Sequence, residues 1–142
     1  MRAALSIVAP VLFFISTAVN GQSPPPLPGK LVGEYFQLSG GGKKRFVVPV
    51  ELSEIKAEGD KVSGVVSKYQ TPNGGCAADN TPFSGTYQDG VLSIKSKPMT
   101  SQKADGSNCG GIEIHVKLSG GHAVGTFGQG SDKGIQIEFD AK

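Results

Sequence analysis

The sequence predicts an all-β fold, an antiparallel meander of about eight strands that closes into a small up-and-down barrel. Apolar residues alternate at period two along most of the chain, and no window has the i, i+3, i+4 spacing of a helix. Turn-forming pairs such as Asp89-Gly90 separate these runs, and glycine accounts for 21 of the 142 residues. Strands with one apolar face must close on themselves or form two layers to hide that face. We expect closure into a barrel, with a β-sandwich as the alternative.

Residues 1–21 predict a cleavable signal peptide. Arg2 supplies a positive charge, and residues 3–19 form an apolar stretch that is short for a membrane-spanning helix. The expected cut follows Gly21, with a cut after Ala18 as the alternative, and a retained membrane anchor is the other interpretation of this stretch. We therefore expect an exported protein, secreted or periplasmic, with no membrane insertion once the signal peptide is removed.

Residues 22–30 predict a proline-rich linker, and residues 31–142 a single domain. The linker contains the run QSPPPLPG, whose four prolines favour an extended polyproline-like conformation and cannot join a central strand. A proline motif that binds a partner is the alternative. The remaining chain is long enough for one domain with one modest core.

Eight strands are predicted in this domain, most of them joined by tight turns. Pro49 in the second strand cannot donate a ladder hydrogen bond, so an edge or a bulge is expected there. The predicted strands span residues 30–38, 45–55, 61–69, 82–88, 91–96, 111–118, 123–128 and 135–140. The side chains predicted to face inward are Phe46, Val48, Val50, Leu52, Ile112, Ile114, Val116, Leu118, Ile135, Ile137 and Phe139. Those predicted to face outward are Glu113, His115, Lys117, Gln136 and Glu138.

Two cysteines, Cys76 and Cys109, predict one disulfide, because an even count in an exported chain indicates a bridge. The closed loop holds about 34 residues, for which the chain-entropy model gives roughly 3–4 kcal/mol of stabilisation. A reactive thiol or a metal pair is the alternative. Neither cysteine lies in a C-x-x-C or a Cys/His cluster, so the disulfide is the interpretation we adopt.

Glycines recur two residues before a bulky side chain, at Gly33, Gly64, Gly85 and Gly125. Glycine inside a strand is costly unless the strand bends sharply or a neighbour lies over it. The repeat therefore predicts the tight coiling of a small barrel. Open space for a ligand inside the barrel is the alternative.

The strand pattern, the GTY and GTF segments at 85–87 and 125–127 and the export signal resemble avidin-type and lipocalin-type barrels. The resemblance covers most of the mature chain and implies a barrel of that architecture. The chain has no tryptophan, the residue that lines avidin-type biotin pockets and opens lipocalin sequences. The resemblance therefore assigns no binding residue here, and biotin is not expected as a ligand.

Composition and motifs argue against several function classes. Removing Arg2 from 14 basic residues leaves thirteen against twelve acidic ones, which gives no electrostatic case for nucleic acid or an anionic membrane. No serine lies in a G-x-S-x-G or S-x-x-K motif, and the scattered acids give no particular pair for glycoside hydrolysis. Two histidines and one disulfide leave no His/Cys zinc site. We therefore expect no enzyme, no cofactor and no metal site.

Two charged features have both a functional and an ordinary interpretation. The loop at 39–45, SGGGKKR, joins flexible glycines to three positive charges and suits a phosphate, a sulfate or an acidic partner. A solvated hairpin loop is the alternative. His115 lies between Glu113 and Lys117 on one strand face, where acid–base chemistry competes with a simple solvated face, and His122 is expected in a loop.

The loops around the cysteines are long and polar, at residues 71–81 and 97–111. Long loops tethered to a rigid β scaffold are often its binding surface. Asp105, Ser107 and Asn108 offer oxygens for calcium or a sugar, although three oxygens are half a calcium shell at best.

The function predicted is that of an exported β-barrel binding module for a small, largely apolar ligand or for a partner surface. Possible ligand-lining residues are Tyr35, Phe83, Tyr87 and Phe127, which lie on glycine-marked faces. The alternative is an exported protein–protein interaction factor, such as a protease inhibitor or an envelope structural protein, with a filled core. An enzyme is the least favoured class, and the oligomeric state stays open.

Overall fold

The computed structural model describes residues 23–39, 41, 44–102, 109–130 and 132–142. The predicted signal peptide lies outside these residues. The described part of the chain contains ten strands, and within it no helix is long and apolar enough to cross a membrane. The strands are β1 (Leu31–Ser39), β2 (Lys44–Glu58), β3 (Lys61–Gln70), β4 (Cys76–Ala78), β5 (Thr81–Gln88), β6 (Val91–Ser96), β7 (Thr100–Ser101), β8 (Ile112–Ser119), β9 (His122–Gln129) and β10 (Asp132–Ala141).

Eight of these strands form a closed antiparallel barrel. The order is β2-β1-β10-β9-β8-β6-β5-β3, and pairing of β2 with β3 closes the ring. Apart from the short strands β4 and β7, each barrel strand pairs with its neighbours in the chain, and β1 pairs with β10 from Leu31↔Ala141 to Tyr35↔Ile137. The predicted up-and-down barrel is confirmed, and the alternative β-sandwich is not adopted.

The hairpin turns have the conformations that their sequences favour. Asp89 and Gly90 have φ values of 53° and 79°, the pattern of a type I′ turn, and Gly120 and Gly121 repeat it at 56° and 85°. Gly59 stands at the first central position of the β2–β3 turn with φ 64°, as a type II′ turn requires. These turns match the right-handed strand twist, which explains why the predicted strand order is the observed one.

One hydrophobic cluster fills most of the barrel interior. All but two of the side chains predicted to face inward are buried. The exceptions are Phe46, which is 41% exposed, and Ile135, which is half-buried. Both residues lie at the end of the barrel where the wall is incomplete. Their side chains face inward as predicted, but no strand on the opposite side of the barrel covers them. Of the outward set, Glu113 alone is half-buried, and the others are exposed.

The strand glycines are sites of close approach rather than empty space. A Cβ at Gly64 would overlap the Phe83 ring, which lies over it, and a Cβ at Gly125 would overlap the backbone carbonyl of His115. Gly33 is covered by the Phe139 ring and by the Glu138 carbonyl, and Gly85 by the Ser93 carbonyl. Because only glycine permits such contacts, the repeat serves strand coiling and ring packing, and the first of the two interpretations is the one observed.

Two extensions project beyond one end of the barrel, which we call the mouth. The first, the hairpin arm (residues 36–39 and 44–47), is the part of β1 and β2 that continues past the last β1–β10 pair. The second, the disulfide lip (residues 69–78 with β7), arises because β4 continues the line of β5 along β3 and pairs with β7. The disulfide between Cys76 and Cys109 is confirmed, with a Cα–Cα distance of 5.8 Å.

Candidate ligand site at the barrel mouth

Three aromatic rings form the floor of the mouth. Tyr35 on β1 stacks on Phe127 of β9, with ring centroids 4.7 Å apart, and Tyr69 of β3 lies 5.2 Å from the Phe127 centroid. The two tyrosine hydroxyls share a hydrogen bond of 3.1 Å. All three side chains are buried. The floor thus closes the apolar core and includes a hydrogen-bonded pair of hydroxyls.

Above this floor lies a cavity of about 380 Å³. Its size is within the range of small-molecule sites. The apolar part of its wall comes from Phe46, Pro72 and Ile135, and the polar part from Gln37, Thr71, Asn73, Gln129 and Asp132. An apolar body with one polar group therefore matches this wall.

The disulfide lip holds one side of the cavity in place through a tight turn. The Thr71 N–H donates to the Cys76 carbonyl at 2.9 Å, and the Cys76 N–H donates to Thr71 Oγ1 at 3.0 Å. Asn73 Oδ1 accepts from Thr71 Oγ1 at 2.8 Å and from the Gly75 N–H at 2.9 Å. Because Cys76 is also bridged to Cys109, the disulfide fixes the strand that positions this wall.

Burial raises the pKa of Tyr35 and, more strongly, the pKa of Tyr69. The hydrogen bond to Tyr35 and the nearby Asp132 carboxylate raise the pKa of Tyr69 further. Both hydroxyls therefore keep their protons at physiological pH. One hydroxyl donates to the other, and the accepting hydroxyl still has a proton to donate to a ligand oxygen.

A second groove, of about 470 Å³, runs along the outside of the seam between β2 and β3. Its walls include Pro49 on one side and Ala77 and Ala78 on the other. The groove exists because β2 pairs with β3 only from Glu51 onward. Phe46 lines both this outer groove and the mouth cavity, as do Tyr69, Thr71 and Pro72.

The structure brings two of the four sequence-predicted lining residues together. Tyr35 and Phe127 line the mouth cavity. Phe83 packs over Gly64 and lines a separate cleft in the barrel wall. Tyr87 lies at the opposite end of the barrel, where its hydroxyl donates to the Pro25 carbonyl of the linker.

Sequence reasoning missed the remaining cavity residues. Tyr69 ends a predicted strand, and its position in the mouth follows from the closure of β2 on β3, which no local pattern reveals. Phe46 was assigned to the core by its alternation. Asn73 lies in a turn, and Asp132 begins β10 ahead of the strand predicted at 135–140, so no alternation pattern shows which way either side chain points.

The other charged candidates lie apart from the mouth. His115 is exposed on β8, and its Nδ1 lies 3.0 Å from Ser93 Oγ. His122 Nδ1 lies 2.9 Å from Asp140 Oδ1, and this contact is the largest cause that raises the pKa of the histidine.

The basic loop at 39–45 is described only in part. Within it, the Arg45 guanidinium stacks on the Phe36 ring at 3.8 Å from its centroid. Asp105, Ser107 and Asn108 lie outside the described residues. Among the residues that are described, His, Cys, Asp and Glu side chains form no group of three that could hold a metal ion.

The mouth therefore combines an aromatic floor, a half-open apolar wall and a polar rim on a disulfide-braced barrel. The disulfide is typical of an oxidising, extracellular environment. Comparisons with protein-family models, with curated proteins and with solved structures find no match to this chain.

Proposed function

We propose that this protein is an exported binding protein that holds a small, largely apolar ligand in the barrel mouth. The observation that carries the proposal is the cavity of about 380 Å³ above the Tyr35, Tyr69 and Phe127 floor. The barrel below the floor is filled with side chains, so the ligand lies at the open end and not in a central lumen.

The wall of the cavity supports an apolar ligand body. Phe46 and Ile135 keep part of their apolar surface in contact with water, and a ligand that covers this surface gains roughly 25 cal/mol for each Å² removed from water. Phe46 stands at the junction of the mouth with the outer groove. We therefore expect its truncation to open the cavity toward the outer groove.

The floor and rim support a polar group at one end of the ligand. The tyrosine hydroxyl pair supplies a donor at the bottom of the cavity, and Gln37 and Gln129 supply amides above it. Few polar groups around an apolar cleft are the usual arrangement for orienting a small molecule.

Export is part of the proposal and rests on two independent features. Residues 1–21 have the charged start, the short apolar stretch and the small residues of a signal peptide. The disulfide between Cys76 and Cys109 is stable in oxidising compartments and rare in the cytosol.

The experiment is a titration of the mature protein with Nile red, an uncharged apolar dye whose emission rises when it leaves water. We expect saturable binding, weakened about tenfold or more in Phe46→Ala. Phe36→Ala is the matched control, because Phe36 is exposed to a similar extent on the same hairpin arm and does not line the mouth. An equal loss in both variants, or no saturable binding at all, contradicts the proposal.

A second candidate function, a protein–protein interaction factor, is favoured by the hairpin arm. Phe36, Leu38 and Val47 are large apolar side chains exposed on this arm, and Arg45 lies beside them. A protruding basic hairpin of this kind suits a trypsin-like protease as partner. Inhibition of trypsin that Arg45→Ala removes would support this function, whereas rapid cleavage after Arg45 without inhibition would count against it.

A further inference from the structure

We infer that the ligand of the mouth carries a positive charge, as an amine or a quaternary ammonium group, held between the Phe46 ring and the Asp132 carboxylate. This inference rests on the proposed function, since it specifies the chemistry of the polar end of the same ligand.

The first support is the charge of the cavity wall. Asp132 is the one formally charged residue among the described residues that line the cavity. None of the described basic side chains forms an ion pair with it. The nearest in sequence, Lys133, is engaged elsewhere, because its Nζ lies 3.2 Å from Glu113 Oε2. Among the described residues, the site thus offers a ligand cation a carboxylate that has no ion-pair partner.

The second support is the position of the arm's basic group. Arg45 directly precedes Phe46 in the chain, yet its guanidinium stacks on the Phe36 ring, which does not line the cavity. Successive strand residues point to opposite faces, so Arg45 lies outside the mouth while Phe46 lies within it. Arg45 therefore does not neutralise Asp132.

The third support is the aromatic content of the wall. Phe46 and the three floor residues Tyr35, Tyr69 and Phe127 make four aromatic side chains around one cavity. Aromatic faces carry negative electrostatic potential and attract ammonium groups within about 6 Å of the ring centroid. The ring of Phe46 is the most accessible of the four.

These features distinguish between ligand charges. An anion would face the Asp132 carboxylate without any described basic side chain in the wall to offset its charge. A neutral ligand would gain from the apolar wall alone. A cation with an apolar body gains favourable binding free energy from the apolar wall, from the aromatic rings and from the carboxylate together.

The test compares choline with 3,3-dimethylbutan-1-ol, its uncharged isostere, in which carbon replaces the quaternary nitrogen. Binding is followed by tyrosine fluorescence in the Tyr87→Phe variant. The chain has three tyrosines and no tryptophan, so this variant reports from Tyr35 and Tyr69 alone. We expect choline to bind at least fivefold more tightly than the alcohol, and added salt to weaken choline binding.

The variant Asp132→Asn is expected to remove most of this preference, with the affinity for choline falling to near that for the alcohol. Asp140→Asn is the matched control, because Asp140 lies on the same strand at the opposite end of the barrel, paired with His122. The control should retain the full preference for choline.

The outcomes separate the inference from the proposed function. Equal binding of choline and the alcohol, or a preference for choline that Asp132→Asn leaves intact, overturns the inference, and Nile red binding then still supports the proposed function. Nile red binding without binding of either small probe also overturns the inference. Failure of Nile red and of both probes overturns the two together.

Discussion

Two tyrosine hydroxyls form the polar centre of an otherwise apolar floor. The hydroxyls of Tyr35 and Tyr69 lie 3.1 Å apart, and both side chains are buried. Each hydroxyl is the side-chain hydrogen-bond partner of the other. A buried hydroxyl that loses its partner costs more free energy than two hydroxyls removed together, because no polar group then stays unsatisfied.

Tyr69→Phe is therefore expected to lower the free energy of unfolding by about 1–3 kcal/mol, because the Tyr35 hydroxyl loses its partner. The double variant Tyr35→Phe/Tyr69→Phe should be less destabilised than the sum of the two single variants. Urea denaturation of the four proteins measures the cycle. Strictly additive losses would show that the hydroxyl pair contributes nothing as a pair.

Stability should also depend on these two hydroxyls at alkaline pH. Burial raises the pKa of both tyrosines, and Asp132 adds to the effect. Above about pH 10 the unfolded chain loses these protons while the folded protein keeps them, so the free energy of unfolding falls as the pH rises. Between pH 9 and 11 the decline should be shallower in Tyr35→Phe/Tyr69→Phe than in the wild type. Parallel curves would contradict this.

At the level of strands, the sequence predicts the barrel well and its mouth poorly. Alternation and turn chemistry are local, so the eight barrel strands and their hairpins can be predicted with small errors at their ends. The strands β4 and β7 have three residues and two residues, and they exist through pairing across the disulfide loops. Short runs of this kind have no periodicity to detect.

Phe46 shows a second reason why the mouth is harder to predict from the sequence than the barrel. Period two predicts which face of a strand a side chain occupies, and Phe46 does lie on the inner face. It does not predict where the opposite wall ends. Since β10 accompanies β1 only to the Tyr35↔Ile137 pair, the arm extends past the wall that would have covered this ring.

Because Phe46 is uncovered and Ile114 is not, truncating these two inward-facing side chains should lower the free energy of unfolding by unequal amounts. Ile114→Ala should lower the free energy of unfolding by about 2–5 kcal/mol, because Ile114 is fully buried at the centre of β8. Phe46→Ala should cost much less, although it deletes more atoms, because 41% of the residue is already exposed. Thermal or urea unfolding compares them, and a similar large loss in both would show that the arm is packed in solution.

The disulfide lip links redox state to the binding site. Reduction, or the variant Cys76→Ala/Cys109→Ala, should lower the melting temperature, since a loop of this length contributes roughly 3–4 kcal/mol. Affinity for Nile red should fall as well, because Cys76 holds Thr71 and with it one wall of the cavity. Circular dichroism should show an unchanged strand content. Unaltered affinity for Nile red in the reduced protein would show that the disulfide lip does not hold the wall of the proposed site in place.

At the scale of the whole molecule, one end of the barrel is closed and the other is open. Turns close one end, where the linker lies against Tyr87 and Leu27 packs on the core. The other end carries the arm, the lip and the cavity between them. The proposed ligand site and the contact between the linker and the barrel thus lie at opposite ends.

Tyr87→Ala tests this division. Tyr87 is half-buried and holds the linker through the Pro25 carbonyl, so its truncation should cost about 1–3 kcal/mol, below the range for a fully buried aromatic. Binding of Nile red should be unchanged, because Tyr87 does not line the mouth. A selective loss of binding would move the ligand site away from the mouth.

The pairing of β1 with β10 has a consequence for how the chain acquires its fold. The first and last of the ten strands lie side by side, so the ring closes only after every strand between them is available. Contacts between such distant parts of a chain form slowly, because a long loop must be ordered before they contribute. A nascent chain that still lacks β10 therefore cannot close the barrel. Transport of an unfolded chain across a membrane requires a chain in such an incompletely folded state. Under the proposed export, the barrel therefore closes after transport, in the compartment where the disulfide between Cys76 and Cys109 also forms.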